Sequence, residues 1–366
     1  MRTRGVILVL AALLGVAALP ALQDEVSGQQ PARRTEPDFR LRVKVELVTT
    51  PVTVFDAQGD FVYGLTRDDF TVWDNEVQQQ ITQFELSSPP ISLVLLLNTS
   101  SRIKPLLDRV RSTGILFQSY ILGESGEAAV ITFDDEVQLR QDFTAEAEKV
   151  EKAIKAIKPG GDKTRLADAL DRAIRMLTTR PPDRRRVIVI ISEPRDISSE
   201  TPLGEPLRTA QLADISIYTL ALSYTEALWK TKPEDRPVPS SPFPPGVFPT
   251  PPRPGTTQTP GTEQHYAARG DLLALIRQLV AGLRAPVNNV LEVLAQGTGG
   301  RAHETSDDRT LQEAVRRIGD ELHNQYLLAY RPSNLDQEGF HEIRVRVRRD
   351  AVHVHARPGY YLGPPQ

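Results

Sequence analysis

Several short constellations in this 366-residue chain carry atoms suited to chemistry. His353 and His355 stand two apart, which puts both imidazoles on one face of a strand. Such a pair can begin a zinc site, but no cysteine and no suitably spaced Glu completes one, so it reads as a surface strand. Asp134-Asp135-Glu136 offers carboxylates for weak Ca²⁺ binding, yet its place between two apolar runs makes it a solvated turn. Arg184-Arg185-Arg186 precedes an apolar strand and reads as a solvated loop. Arg344, Arg346 and Arg348 share one strand face, the best place for an anionic partner, although such charges also discourage strand aggregation. Ser192 lacks the Gly-x-Ser-x-Gly frame of a nucleophile elbow, and no phosphate-cradling glycine loop is present. His265, His303, His323 and His341 carry no partner signature. The remaining candidate is Asn98-Thr99-Ser100-Ser101-Arg102, directly after the apolar run Ile91–Leu97. Asn98 and Ser100 supply hard oxygen atoms, whereas Arg102 supplies only donors. Open α/β sheets bind ligands just beyond the C-terminal ends of their strands, which is where this loop falls.

The elements that position these residues follow from patterning. Over residues 39–88 hydrophobic residues alternate, with Leu41, Val43, Val45 and Leu47 on one face, which predicts a small antiparallel β module. From 89 to 335 strands and helices alternate. Ile91–Leu97, Val187–Ile191 and Ile215–Leu222 read as buried parallel strands. Val150, Ile154 and Ile157 mark a helix stopped by Pro159-Gly160-Gly161, and Leu166 to Leu177 and Leu311 to Leu322 mark two more. Repeated β-α units imply an α/β fold with a doubly wound, mostly parallel Rossmann-like sheet. Residues 336–366 return to β, and alternation in Ile343, Val345 and Val347 predicts that this segment packs with the N-terminal module as one β subdomain. Within the α/β part, residues 231–264 hold eleven of the 29 prolines, so they form an extended insertion and not a core.

Composition sets the bounds. With 40% hydrophobic and 25% charged residues the chain is globular, and a net charge of −3 gives no bulk field for nucleic acid. Zero cysteines exclude disulfides, thiolate nucleophiles and a lipidated N-terminal cysteine. Arg2 and Arg4 precede the apolar run Val6–Leu19, shorter than the roughly 20 residues of a spanning helix. Residues 1–22 read as a secretory signal peptide, with an uncleaved membrane anchor as the alternative, and 23–38 as a disordered lead-in.

Taken together, these segments resemble the von Willebrand factor A-related proteins of the secreted acidobacterial type. The resemblance rests on Gly64-Leu65-Thr66-Arg67-Asp68-Asp69-Phe70, Ile131-Thr132-Phe133-Asp134, Gly160-Gly161 ahead of Thr164-Arg165-Leu166-Ala167-Asp168, Val187–Ser192, Gly299-Gly300 and Gln325–Tyr330. It implies a von Willebrand A-like Rossmann sheet and a role in binding proteins, often through Mg²⁺. The family's ligand pattern is Asp-x-Ser-x-Ser, a Thr on a second loop and an Asp after a later strand. Those positions here are Asn98, Ser100, Arg102, Thr164 and Glu193. A metal, if any, would lie on Ser100, Thr164 and Glu193. The side-chain charge of the set moves from about −2 to about 0, so a divalent ion loses most of its attraction, and Arg102 can pair with Glu193 in its place. The hydroxyls of Ser100 and Thr164 have an alternative use as helix N-caps.

The expected function is an exported, non-enzymatic protein- or surface-binding (adhesion-type) protein with a degenerate metal-ion-dependent adhesion site. The partner is a protein or cell-surface ligand, without nucleic acid, and with membrane contact only through an uncleaved signal anchor. No cofactor is expected beyond residual Mg²⁺. The alternative is a structural envelope scaffold whose A-like domain no longer binds metal. The location is periplasmic, cell-surface or secreted.

Overall fold

The computed structural model describes residues 47–86, 89–222, 272–282, 287, 289–334 and 336–362. The leader, the lead-in and the proline-rich 231–264 insertion lie outside the described residues. The centre is a six-stranded sheet built from β5 (Ile91–Asn98), β6 (Glu127–Phe133), β7 (Val137–Thr144), β8 (Arg185–Ser192), β9 (Ile215–Leu222) and β10 (Ala302–Thr305). Their order is β10-β9-β8-β5-β6-β7. Every pair is parallel except the β6–β7 hairpin. All eight residues of β5 are buried, as a central strand covered on both faces requires. On one face Leu93, Leu95, Leu97, Val187, Val189 and Ile191 form a core with Val110, Phe117, Ile154, Val315 and Ile318. The helix Leu166–Thr178 packs on β5 and β6, its Leu166, Leu170, Ala173, Ile174 and Leu177 buried at helical spacing. Here the α/β expectation and the structure agree.

Antiparallel sheets occupy the chain ends. One has the order β13-β1-β11-β4, from β1 (Val48–Asp56), β4 (Ile81–Leu86), β11 (Tyr326–Tyr330) and β13 (Val352–Ala356). The other has the order β14-β12-β2-β3, from β2 (Phe70–Asp74), β3 (Val77–Gln79), β12 (Gly339–Val347) and β14 (Gly359–Leu362). They share a core of Val52, Val54, Phe70, Val72, Tyr326, Leu328, Tyr330, Ile343 and Tyr360. The sequence reading ran the α/β part through residue 335, but Tyr326–Tyr330 is an inner strand of the first antiparallel sheet, with Val52 opposite Tyr326. Its alternate residues face the β core, and the Tyr326 hydroxyl donates to the Val62 carbonyl at 2.9 Å. The three consecutive arginines also differ from expectation. Arg184 donates to Ser92 Oγ at 2.8 Å and the Ile91 carbonyl at 2.9 Å, Arg185 to the Leu322 carbonyl at 2.9 Å, and Arg186 to the Ala213 carbonyl at 3.2 Å. Guanidinium forks satisfy carbonyls at the ends of elements, so this run is structural and not a solvated loop.

Between the two antiparallel sheets lies a buried charged cluster. Asp74 and His341 are both fully buried. Asp74 Oδ1 is 2.6 Å from His341 Nδ1, and His341 Nε2 is 2.6 Å from the Gln337 carbonyl. Tyr330 and Tyr360 each donate to Asp74 Oδ2 at 2.9 Å, and Asn334 donates to Oδ1 at 3.1 Å. Both imidazole nitrogens face acceptors, which makes the ring a cation. Burial disfavours that cation, but the Asp74 carboxylate and the Gln337 carbonyl outweigh it and raise the His341 pKa above 6.5. Burial alone would raise the Asp74 pKa; its four donors together bring it below 3.8. The His341 contribution is full below pH 6.5 and fades as pH rises through its folded value. The Asp74 contribution is full above pH 3.8 and fades as pH falls through its folded value. Replacing His341 with Gln strands a buried carboxylate and should cost about 3–5 kcal/mol. The stability gap between wild type and His341→Gln, followed by denaturant melts against pH, should be widest between those two values and narrow on either side.

Candidate functional site

Strands β5 and β8 are paired with Leu97 opposite Ile191, so their C-terminal ends finish together. Asn98 ends the first, and Ser192 and Glu193 end the second. The Asn98 Nδ2 donates to Ser192 Oγ at 3.0 Å, and its Oδ1 accepts from the Ser100 N–H at 2.8 Å. This side chain is fully buried and engaged at both ends. It shapes its own loop, in contrast to the open hydrogen-bonding group expected of it.

The second loop is laced to the first. The Ser101 N–H donates to the Gly161 carbonyl and the Gly160 N–H to the Thr99 carbonyl, each at 2.7 Å. A Cβ on Gly160 would collide with the Asp134 carboxylate, and one on Gly161 with that of Asp135. A side chain at either position would push that carboxylate aside and disturb its hydrogen bond. Asp134 Oδ2 accepts the Thr99 hydroxyl at 2.7 Å, Asp135 Oδ1 accepts the Lys163 N–H at 2.7 Å, and Asp162 accepts the Ser101 hydroxyl. The acidic turn is thus docked against the site loops; its place on the hairpin was legible, its partners were not. The same lacing delivers Thr164, whose carbonyl accepts from Ile197 N at 3.1 Å and Ser198 N at 3.2 Å on the loop after β8. Three loops meet, and they bring together all five candidate positions.

Arg102 and Glu193 face each other across this junction. Arg102 Nε lies 3.0 Å from Glu193 Oε1 and 3.1 Å from Oε2. One N–H sits astride the carboxylate, in place of the two parallel bonds of a fork. The Glu193 side chain is only 10% exposed and that of Arg102 34%, so the pair is shielded better than a surface ion pair.

Two hydroxyls at the junction remain unused. Ser100 Oγ and Thr164 Oγ1 are buried and make no hydrogen bond among the described residues, whereas Glu193 Oε1 is held only by the Arg102 charge. Thr99 and Ser101, on either side of Ser100, both spend their hydroxyls on carboxylates. The capping use foreseen for Ser100 and Thr164 does not occur. The turn Ser101–Leu106 receives no side-chain cap, and the helix Leu166–Thr178 starts behind Arg165. Its Ala167 N–H is taken by Ser199 Oγ at 2.9 Å and by Asp196 Oδ2 at 3.3 Å. Burial raises the pKa of Asp196 despite these donors. Buried oxygens left without partners cost about 1–3 kcal/mol each, and such groups concentrate where a ligand is to bind.

The donor set tests poorly for a divalent cation. Two hydroxyls and a carboxylate are hard oxygen ligands. The carboxylate, however, is covered by a guanidinium, and the set sums to about zero charge. A cation would have to displace Arg102 from Glu193. Among the described residues no group of three His, Cys, Asp or Glu side chains is placed to hold a metal. Sequence reasoning missed Ser192, Asp134, Asp162, Asp196 and Ser199 as supports. It also missed Ile197, an apolar side chain 53% exposed on the loop bonded to Thr164.

Residues 93–195 match the model of the von Willebrand factor type A domain. Among solved structures, similarity extends to an aerotolerance-related membrane protein from Bacteroides fragilis, at 13% identity and TM-score 0.40, over 63% of this chain and 99% of that one. It extends also to the conserved hypothetical protein BatB from Bacteroides thetaiotaomicron, at 13% identity and TM-score 0.40, over 63% of this chain and 98% of that one. The domain of the type V pili tip protein Mfa5 from Porphyromonas gingivalis aligns at 19% identity and TM-score 0.27, over 29% of this chain and 38% of that one. No curated protein matches the sequence.

The unused hydroxyls give a stability signature. Thr164→Val keeps the shape and removes a buried, unpartnered oxygen. It should raise stability by about 1 kcal/mol in urea melts of the unliganded protein. A loss of 1 kcal/mol or more would mean that the hydroxyl has a partner in the free protein.

Proposed function

This chain carries a von Willebrand factor A-like domain, and from that premise we propose that it is an exported, non-enzymatic binding protein. It engages a protein or cell-surface ligand through the loop face at the ends of β5 and β8, without Mg²⁺. The observation that carries this reading is the pair of unpartnered hydroxyls on Ser100 and Thr164 beside the Arg102–Glu193 pair. The loops keep the form of a cation-dependent binding face, while Arg102 supplies the positive charge that a cation would bring. A ligand carboxylate can then meet the guanidinium directly, and the Ser100 and Thr164 hydroxyls can donate to the same ligand. Ile197 adds an exposed apolar contact on the rim. Export is supported by the basic start and short apolar run over residues 2–19. Among the described residues no helix is long and apolar enough to cross a membrane. A non-enzymatic role is supported by the surroundings of Ser192, whose hydroxyl accepts from the Asn98 amide and, among the described residues, has no hydrogen bond to a base.

Two experiments test the proposal. Calorimetric titration of the protein with Mg²⁺ or Mn²⁺ should give no binding heat, whereas the double variant Asn98→Asp, Arg102→Ser should bind, since it adds a second carboxylate beside Glu193 and a third hydroxyl. Capture of an envelope or surface protein by the immobilised wild type should persist in EDTA and fall at least tenfold with Arg102→Ser. Capture that requires Mg²⁺, or that ignores the loss of Arg102, would overturn the reading.

A further inference from the structure

A cavity of about 640 Å³ opens where the edge strand β10 of the central sheet meets the edge strand β13 of the β subdomain. Its volume falls within the range of small-molecule sites. Five of its lining side chains are cationic or can become so: Arg301, His303, Arg317, His353 and His355. A single carboxylate, Glu292, lines it, and that group accepts from Gln296 at 3.2 Å. Nothing in the residue spacing groups these side chains. The β13 histidines lie some fifty positions from His303, and the juxtaposition depends on β1. That strand pairs with β13, placing Thr53 opposite His355, and its Phe55 reaches the same cavity.

The polar groups differ in how they are held. Arg301 Nε lies 3.3 Å from the buried Glu321, and its guanidinium carbon sits 4.2 Å from the centroid of the Phe55 ring. It is therefore fixed in place before any ligand arrives. His355 Nε2 is 3.2 Å from the Gly300 carbonyl, which orients that ring. Gly300 is closely packed, since a Cβ there would collide with the Ile217 carbonyl, so the segment leading into β10 is firmly placed. Of the other three, His353 is exposed at the rim. Arg317 is exposed and has no partner among the described residues. His303 Nε2 is buried with no hydrogen-bond partner among the described residues. Burial, with help from Arg301 and Arg317, pushes the His303 pKa down to about 4, so the ring is neutral near pH 7. A neutral imidazole in its Nε2–H form lacks only an acceptor. Phe55, Ile276 and Val354 give the rest of the wall an apolar character.

We propose that this cavity binds a small organic anion, a compact oxyanion head with an apolar body. Arg317 and the rigid Arg301 supply charge, and His303 Nε2 donates a hydrogen bond to one head oxygen. The apolar body lies against Phe55 and Ile276. Three histidines in one cavity could suggest a metal instead. Two guanidiniums beside them oppose that, and among the described residues no three such ligands are placed to hold one ion. The cavity is formed by β10 and β13, so it is separate from the loop face at the ends of β5 and β8 and does not depend on its assignment.

The test uses the full chain and histidine C–H resonances in NMR. Phenyl phosphate and benzoate are the anionic probes, benzyl alcohol is the neutral one, and Zn²⁺ is a separate arm. The expected result is a saturable shift of the His303 resonance with one or both anions and none with benzyl alcohol. The tighter anion identifies the head as phosphate or carboxylate. Arg317→Ala should weaken binding at least tenfold without lowering the melting temperature. Arg316→Ala, a neighbouring charge loss at a residue 3.5 Å from Asp320, should leave it unchanged. The proposal is overturned if neither anion saturates, if benzyl alcohol binds equally well, if Arg317→Ala binds like wild type, or if Zn²⁺ alone moves the histidines.

Discussion

Strands β5 and β8 run side by side with Leu95 opposite Val189 and Leu97 opposite Ile191, and over Ile91–Asn98 and Val187–Ser192 neither meets water on either face. Burial of that apolar surface supplies most of the drive to hold the sheet together. It also fixes the register, because a one-residue slip would exchange the two faces of each strand and break the core against both helical layers. The register in turn places Asn98 beside Ser192 and Arg102 within reach of Glu193. Every distance in the loop face follows from this constraint, since the glycines at 160 and 161 only let a third loop close onto a position already set.

Above that frame, charge decides the chemistry. Carboxylates around an oxygen-lined hollow would repel one another and call for a divalent ion. Here the Asn98 amide and the Arg102 guanidinium line the loop, and the guanidinium lies against the Glu193 carboxylate. The hollow keeps the unused hydroxyls of Ser100 and Thr164. The β subdomain solves a similar problem in another way. Asp74 is buried completely, and one imidazolium, two phenols and an amide satisfy it. That cluster draws residues from both ends of the chain and specifies how the two antiparallel sheets pack.

Much of the fold was legible because period-two and period-3.6 patterns report burial directly. Ile91–Leu97, Val187–Ile191 and Leu166–Leu177 could hardly be read otherwise. The assignment of Tyr326–Tyr330 was harder, because a short apolar strand looks the same in a parallel sheet and in a β sandwich. Only its partners, β1 and β4, separate the two. At the site, residue types and spacing showed which atoms were available. They could not show which were already engaged. Asn98 proved to be occupied and Ser100 and Thr164 idle, and that difference lies in loop geometry. Arg184–Arg186 misled for a related reason, since charged side chains that satisfy carbonyls are indistinguishable in sequence from solvated ones.

The central claim is that Arg102 substitutes for a cation by binding Glu193. A double-mutant cycle on the stability of wild type, Arg102→Ala, Glu193→Ala and the double variant measures that interaction alone. With EDTA or with excess Mg²⁺ present, the coupling should be favourable by about 1 kcal/mol and the same in both. A coupling near zero in EDTA, with wild-type stability rising in Mg²⁺, would show that Glu193 serves a metal and that the ion pair does not close the site.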